Sequence, residues 1–170
     1  MWKPEPNEYA PYFENYISQV PESDIRDGFA AQPGELRAVL EGVPEEKGTY
    51  AYADGKWTIK ELLSHIIDGE RIFAYRILRI SRGDETPLEG FEQDDYIATS
   101  NANNRSFADL LDEFEFSRKA NVLMLNNLDE EALSRMGTSN NDRISARALV
   151  SISIGHLRHH LNILKERYLA

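Results

Sequence analysis

The chain has 170 residues, 41 % hydrophobic and 28 % charged, which suits one globular domain. Its formal charge of −10 opposes binding to a phosphate backbone or an anionic membrane surface, since both demand clustered Lys and Arg. Cysteine is absent, which excludes disulfides, thiolate ligands and a cysteine nucleophile.

No apolar run reaches the roughly 18 residues of a membrane span. The opening Met1-Trp2-Lys3-Pro4-Glu5-Pro6 lacks the apolar stretch of a secretory signal, so a cytoplasmic location is expected. Residues 1–23 carry prolines at 4, 6, 11 and 21 around Trp2, Tyr9, Tyr12, Phe13 and Tyr16. They read as an irregular lead-in packed on the domain proper, 24–170, with one short helix near 8–19.

Four longer helices are predicted next. The first covers about 24–40, where Pro33-Gly34 is expected to bend or divide it. The second, about 58–82, opens on Thr58-Ile59-Lys60-Glu61, a capping box whose Thr and Glu side chains satisfy unpaired amides. The third, about 106–127, opens on Ser106-Phe107-Ala108-Asp109, the same device with Asp in place of Glu. The fourth, about 143–168, follows Thr138-Ser139-Asn140-Asn141-Asp142, a run of turn and cap residues.

Apolar residues recur at helical spacing within these segments. Ile59, Leu62, Leu63, Ile66, Phe73 and Ile77 do so in the second; Phe107, Leu110, Leu111, Phe114 and Leu125 do so in the third. Tyr50-Ala51-Tyr52 before Asp54-Gly55 suits a short extended turn, and alternation elsewhere is too sparse for a sheet. The expected fold is all-α, a four-helix bundle. The connection 83–105, which contains Gly90-Phe91-Glu92-Gln93-Asp94-Asp95-Tyr96, is long for a compact domain. Such loops are commonly functional or poorly ordered.

The four histidines carry the chemistry. His156 and His160 lie one turn apart on one side of a helix, so their imidazoles can converge on one ion. Leu149, Ile152, His156, His160 and Ile163 form a single row, flanked by Leu157 and Leu164, which turns both rings inward. His159 points towards the flank and ranks below them as a ligand. His65 falls in a row with Leu62, Gly69, Ile72 and Arg76 on the second helix, and Gly69 leaves space one turn beyond it. Packing the second helix against the fourth brings His65, His156 and His160 together, and bundle cores are regular places for such sites.

Three neutral nitrogens suit one Zn²⁺, Ni²⁺ or Fe²⁺ better than Mg²⁺ or Ca²⁺. An open zinc site of this kind lowers the pKa of bound water to about 7, or polarises a substrate oxygen; it can equally stabilise a substrate thiolate. Carboxylates should hold the rings' other N–H groups; Asp68, Glu70 and Glu113 are the candidates, with a solvated helix charge the competing reading of each. Arg71, Arg76, Arg79 and Arg82 are expected as surface ion-pair partners, with one or two at most gripping an anionic substrate. Trp57 reads as a packing residue. Gly48 to Lys56 is no phosphate loop, because six residues separate Gly48 from Gly55, and G-x-G-x-x-G and G-x-S-x-G are absent.

At these same residues the chain resembles the DinB-like superfamily, in the branch described as YfiT-type metal-dependent hydrolases. The resemblance covers 24–169. It rests on Gly55-Lys56-Trp57-Thr58-Ile59-Lys60-Glu61, His65-x-x-Asp68-x-Glu70-Arg71, Tyr75-Arg76 and Gly155-His156-x-x-His159-His160. It implies a four-helix bundle whose first metal ligand comes from the second helix and whose other two come from the fourth; His65, His156 and His160 match those positions. His159 matches an extra histidine of many members and is not carried over as a ligand. Relatives include metal-dependent S-transferases and isomerases that use low-molecular-weight thiols such as bacillithiol or mycothiol. Many are homodimers, which implies a dimer through one helix face.

The function expected from residues and resemblance together is a metal-dependent hydrolase or thiol S-transferase acting on a small molecule. Metal-bound water or a substrate thiolate would be its nucleophile. The alternative is a non-catalytic bundle that binds a metal or small ligand.

Overall fold

The computed structural model describes residues 3–21 and 23–170; Trp2 of the lead-in lies outside the described residues. Its elements are α1 Glu14–Ile17, α2 Ile25–Leu40, α3 Ile59–Ser81, α4 Gln93–Thr99, α5 Phe107–Asn126, α6 Glu130–Ser134, β1 Met136–Ser139, β2 Asp142–Ser145 and α7 Ala146–Ile163. A wider π turn over Leu164–Tyr168 finishes the last helix.

The helices begin where side chains cap them. Asp24 accepts from the Arg26 amide at α2, and Ser145 accepts from the Ala148 amide at α7. At α3, Thr58 accepts from the Glu61 amide while Glu61 accepts from the Thr58 amide, closing the box. At α5 only half of the expected box forms. Ser106 accepts from the Asp109 amide, but the shorter Asp109 carboxylate turns to Arg105 at 2.5 Å instead.

Pro33 neither divides nor ends α2. A proline leaves the carbonyl four residues earlier without its amide partner, and here that group, Phe29 O, accepts from Arg118 Nη1 at 3.2 Å. The helix therefore tolerates the proline because a neighbouring side chain satisfies the freed oxygen.

α3 packs against α5 and α7, and α2 packs against the same two helices. The order around the bundle is thus α2, α5, α3, α7, with the consecutive helices α2 and α3 across a diagonal. The core is two apolar clusters. One gathers Phe29, Ile77, Ile80, Leu125 and 144–154; the other gathers Leu36, Leu40, Ile59–Ile67, Phe107–Phe114 and Leu157–Tyr168. Polar residues stand where the helices pass between clusters: Gln32, Glu70, Arg118, Asn121 and Ser153. Arg118 donates to Gln32 Oε1 at 2.5 Å and to Glu70 Oε2 at 2.6 Å, and Asn121 donates to Glu70 Oε1 at 2.6 Å.

Three parts of the chain differ from expectation. First, 8–19 is not one helix: Pro6 and Pro11 each open a short 3-10 turn, and only α1 is α-helical, because each ring blocks continuation of the turn before it. Second, 143–145 is strand. β1 and β2 form an antiparallel hairpin in the register Met136↔Ser145 to Ser139↔Asp142. Asn140 and Asn141 both take positive φ, 51° and 69°, as a tight type I′ hairpin turn requires. Third, the 83–105 connection is ordered, with α4 inside it and Leu88 bridged to Ser139 of the hairpin.

The lead-in packs through Tyr9, Ile17 and Val20, which are buried. Its closest approach is at Gly155 of α7, where a Cβ would lie 2.0 Å from the Tyr16 carbonyl oxygen. Glycine alone lets α1 sit there.

Candidate metal centre

His65 on α3 and His156 and His160 on α7 meet at the α3–α7 contact. His65 Nε2 lies 2.9 Å from His156 Nε2, which lies 3.1 Å from His160 Nε2. All three ligand atoms fall within 4.8 Å of one another. Two ligands of a tetrahedral zinc ion at the usual zinc–nitrogen bond length stand about 3.3 Å apart, so the spacing fits a shared ion.

The hydrogen-bond arithmetic points the same way. A ring nitrogen carries either one proton or one lone pair, so His156 Nε2 can satisfy one of its two neighbours and not both. One of the two contacts is therefore left without a well-directed hydrogen bond of its own. A cation at the centre would resolve that conflict, because all three nitrogens could then present lone pairs to it.

Burial keeps the rings neutral. It pulls His65 down to about 4 and His160 to about 3. His156 falls well below the ordinary histidine value, first through burial and then through the neighbouring histidines. Neutral imidazoles are the form that binds metal.

Aromatic rings hold the imidazoles in place. Trp57 lies 4.8 Å from His65 between ring centroids, and Tyr16 and Phe73 stand edge-on to His156 at 5.8 Å and 5.4 Å. Gly69 does what its row predicted: a Cβ there would come within 3.1 Å of His156 Cε1, so the bare backbone makes room for the ring. His159 stays outside the cluster, half-buried and edge-on to Tyr16.

None of the three expected carboxylates reaches the rings. Glu70 is taken by Arg118 and Asn121, Glu113 by Arg71 and Arg105, and Asp68 lies beside that second pair, its pKa raised by burial. His160 Nδ1 is buried with no partner among the described residues. The carboxylate whose charge acts on His65 is Asp94 in α4, which lines a neighbouring cavity with His160. Its position in the 83–105 connection was the available signal.

A cavity of about 350 Å³ opens beside the cluster, lined by His65, His156 and His159, by Tyr12 and Tyr16 of the lead-in, and by Asn140 of the hairpin turn. Sequence reasoning missed the last three, since only the folded chain carries these distant segments to the site. Arg76 also lines it, buried rather than on the surface.

The DinB superfamily profile matches residues 29–164. No curated protein matches the sequence. Among solved structures, YfiT from Bacillus subtilis, a probable metal-dependent hydrolase with an unusual four-helix bundle topology, superposes with a TM-score of 0.76 at 16 % identity, over 96 % of this chain and 90 % of its own. A mycothiol-dependent maleylpyruvate isomerase superposes with a TM-score of 0.69 at 15 % identity, over 86 % of this chain and 61 % of its own. At such identities the likeness is one of fold. No helix among the described residues is long and apolar enough to cross a membrane.

Proposed function

This chain belongs to the DinB superfamily, and on that premise we propose that it is a metal-dependent enzyme acting on a small molecule, as a hydrolase or a low-molecular-weight-thiol S-transferase. His65, His156 and His160 hold one divalent transition ion, Zn²⁺, Ni²⁺ or Fe²⁺. The observation that carries this reading is the convergence of three neutral Nε2 atoms, two of whose contacts are 2.9 Å and 3.1 Å. Such an ion supplies Lewis acidity and favours the deprotonated form of an oxygen or sulfur nucleophile.

The remaining work falls to the chain. Trp57 holds the His65 ring, and Tyr16 and Phe73 hold the His156 ring. Phe13, Phe73, Phe91 and Leu149 give the cavity an apolar wall that excludes water and strengthens electrostatic interactions inside it. His159 lines the same cavity without joining the cluster. The two similar structures, a probable metal-dependent hydrolase and a mycothiol-dependent isomerase, support both reaction classes.

The test pairs metal content with turnover. Elemental analysis of untagged protein is expected to find about one transition ion per chain and almost none in His156→Ala. A panel of activated esters, and of thiols with an electrophile, is expected to show turnover that chelation abolishes. Equal and negligible metal in the two proteins would end the proposal. Full metal loading with no turnover across the panel would leave a binding module instead of an enzyme.

A further inference from the structure

Among the described residues, Arg76 is the one with a permanent charge that lines the cavity, and no counter-charge pairs with it. Its side chain is only 8 % exposed. Nη2 donates to the Glu89 carbonyl at 2.8 Å, yet among the described residues no carboxylate pairs with it. The other deeply buried arginine, Arg118, is matched by Glu70 at 2.6 Å. Carboxylates are not scarce, with 29 acidic residues against 19 basic ones. Burying a guanidinium without a partner is unfavourable, and burial pulls the Arg76 pKa down accordingly. A site that keeps such a charge is built for an anion that arrives from outside.

Position says which anion. His65, Gly69, Ile72 and Arg76 succeed one another along one face of α3. Eleven residues of helix span about 16 Å, and helical side chains lean towards the N-terminus, which carries the guanidinium back towards the histidines. Gly69 and Phe73 line the cavity between them, and the neutral amides of Asn140 and Gln93 line it too.

We propose that Arg76 is the anion-binding group of this cavity, and that the substrate carries an oxyanion, a carboxylate or a phosphate, at the end opposite its reacting atom. The planar guanidinium offers paired donors that match two oxygens of such a group. The placement of the reacting atom at the histidines rests on the function proposed above; the anion subsite itself does not.

Succinate and inorganic phosphate serve as probes, with succinamide as the uncharged counterpart and chloride at matched ionic strength. Binding is measured by calorimetry and by the melting temperature in metal-free wild type, Arg76→Gln and Arg76→Met. Succinate or phosphate, but not succinamide, is expected to bind metal-free wild type; the tighter of the two identifies the oxyanion. Arg76→Gln is expected to weaken that binding about tenfold or more. Without anion, Arg76→Met is expected to melt no lower than wild type, because it removes an unpaired buried charge. Binding that survives in Arg76→Gln, or is absent from wild type, overturns the proposal. So does a much lower melting temperature for Arg76→Met, which would make the guanidinium structural. Metal content of His65→Ala, read separately, judges the histidine assignment without touching this one.

Discussion

A single missing side chain sets the geometry of the metal centre. At Gly69 a Cβ would lie 3.1 Å from His156 Cε1 and 3.4 Å from Nδ1, tight enough to shift the ring by a few tenths of an ångström. Helices prefer alanine to glycine by about 1 kcal/mol, so Gly69→Ala should leave the metal-free fold at least nearly as stable while disturbing one ligand. Displacing a group that orients a ligand commonly weakens metal affinity about 10- to 100-fold. A chelator competition is expected to show a loss of that order in Gly69→Ala, with the helical circular dichroism unchanged. Unaltered affinity would mean that the ring does not depend on the gap. The importance of this glycine was legible from spacing alone, because His65 and Gly69 share a row. The ring-orienting acids were not. Helical spacing leaves Glu70 as either a solvated charge or a ring-orienting acid, and only the partner helix reveals that Arg118 and Asn121 wait for it.

At the scale of elements, the long helices announced themselves because their signals are local. Apolar spacing and caps such as Thr58 and Ser106 lie within four residues of what they control. The hairpin did not, since Met136–Ser139 and Asp142–Ser145 lack clean apolar alternation and its one local signal, Asn140-Asn141, also suits a loop. Pro33 misled for the opposite reason: the group that rescues α2, Arg118, is distant in sequence. The docking of α1 follows the same non-local logic. At Gly155 a Cβ would meet backbone, 2.0 Å from the Tyr16 carbonyl oxygen and 2.4 Å from its carbon, and backbone yields less easily than a side chain. Gly155→Ala should therefore push α1 off α7 and remove Tyr12 and Tyr16 from the cavity wall. A loss of about 1–3 kcal/mol in urea unfolding is expected, the usual range for overpacking, together with protease cleavage near α1. A variant as stable and as resistant as wild type would show that α1 and α7 can separate slightly at no cost.

Across the whole molecule, a hydrogen-bonded polar layer lies between two apolar clusters. Gln32, Glu70, Arg118 and Ser153 each come from a different long helix, and Arg118 is 1 % exposed. Sliding any helix by a turn would strand that guanidinium in hydrocarbon, so this layer disfavours wrong registers more than it adds stability. The three histidines lie just to one side of it, and they link the fold to pH. In the unfolded chain their pKa is near the ordinary 6.5, whereas burial holds His65 near 4 and His160 near 3. As pH falls below 6.5 the unfolded chain takes up protons that the folded chain refuses, so stability declines towards pH 4, by at most about 1.4 kcal/mol per pH unit for each histidine. Above 6.5 both states are neutral and the contribution is flat. Paired carboxylates such as Glu45 and Glu115, whose pKa values are lowered, lose their stabilisation only at lower pH. Asp68, raised by burial, acts in the opposite sense. Between pH 6.5 and 5 the three imidazoles pull stability down together. Urea unfolding of metal-free wild type is expected to weaken steadily across that interval, and His156→Leu to weaken less. With metal bound the decline should be steeper, because protons and the ion compete for the same lone pairs. Parallel slopes in wild type and His156→Leu would mean that the rings are already solvated, and a solvated cluster has no reason to hold its three nitrogens together.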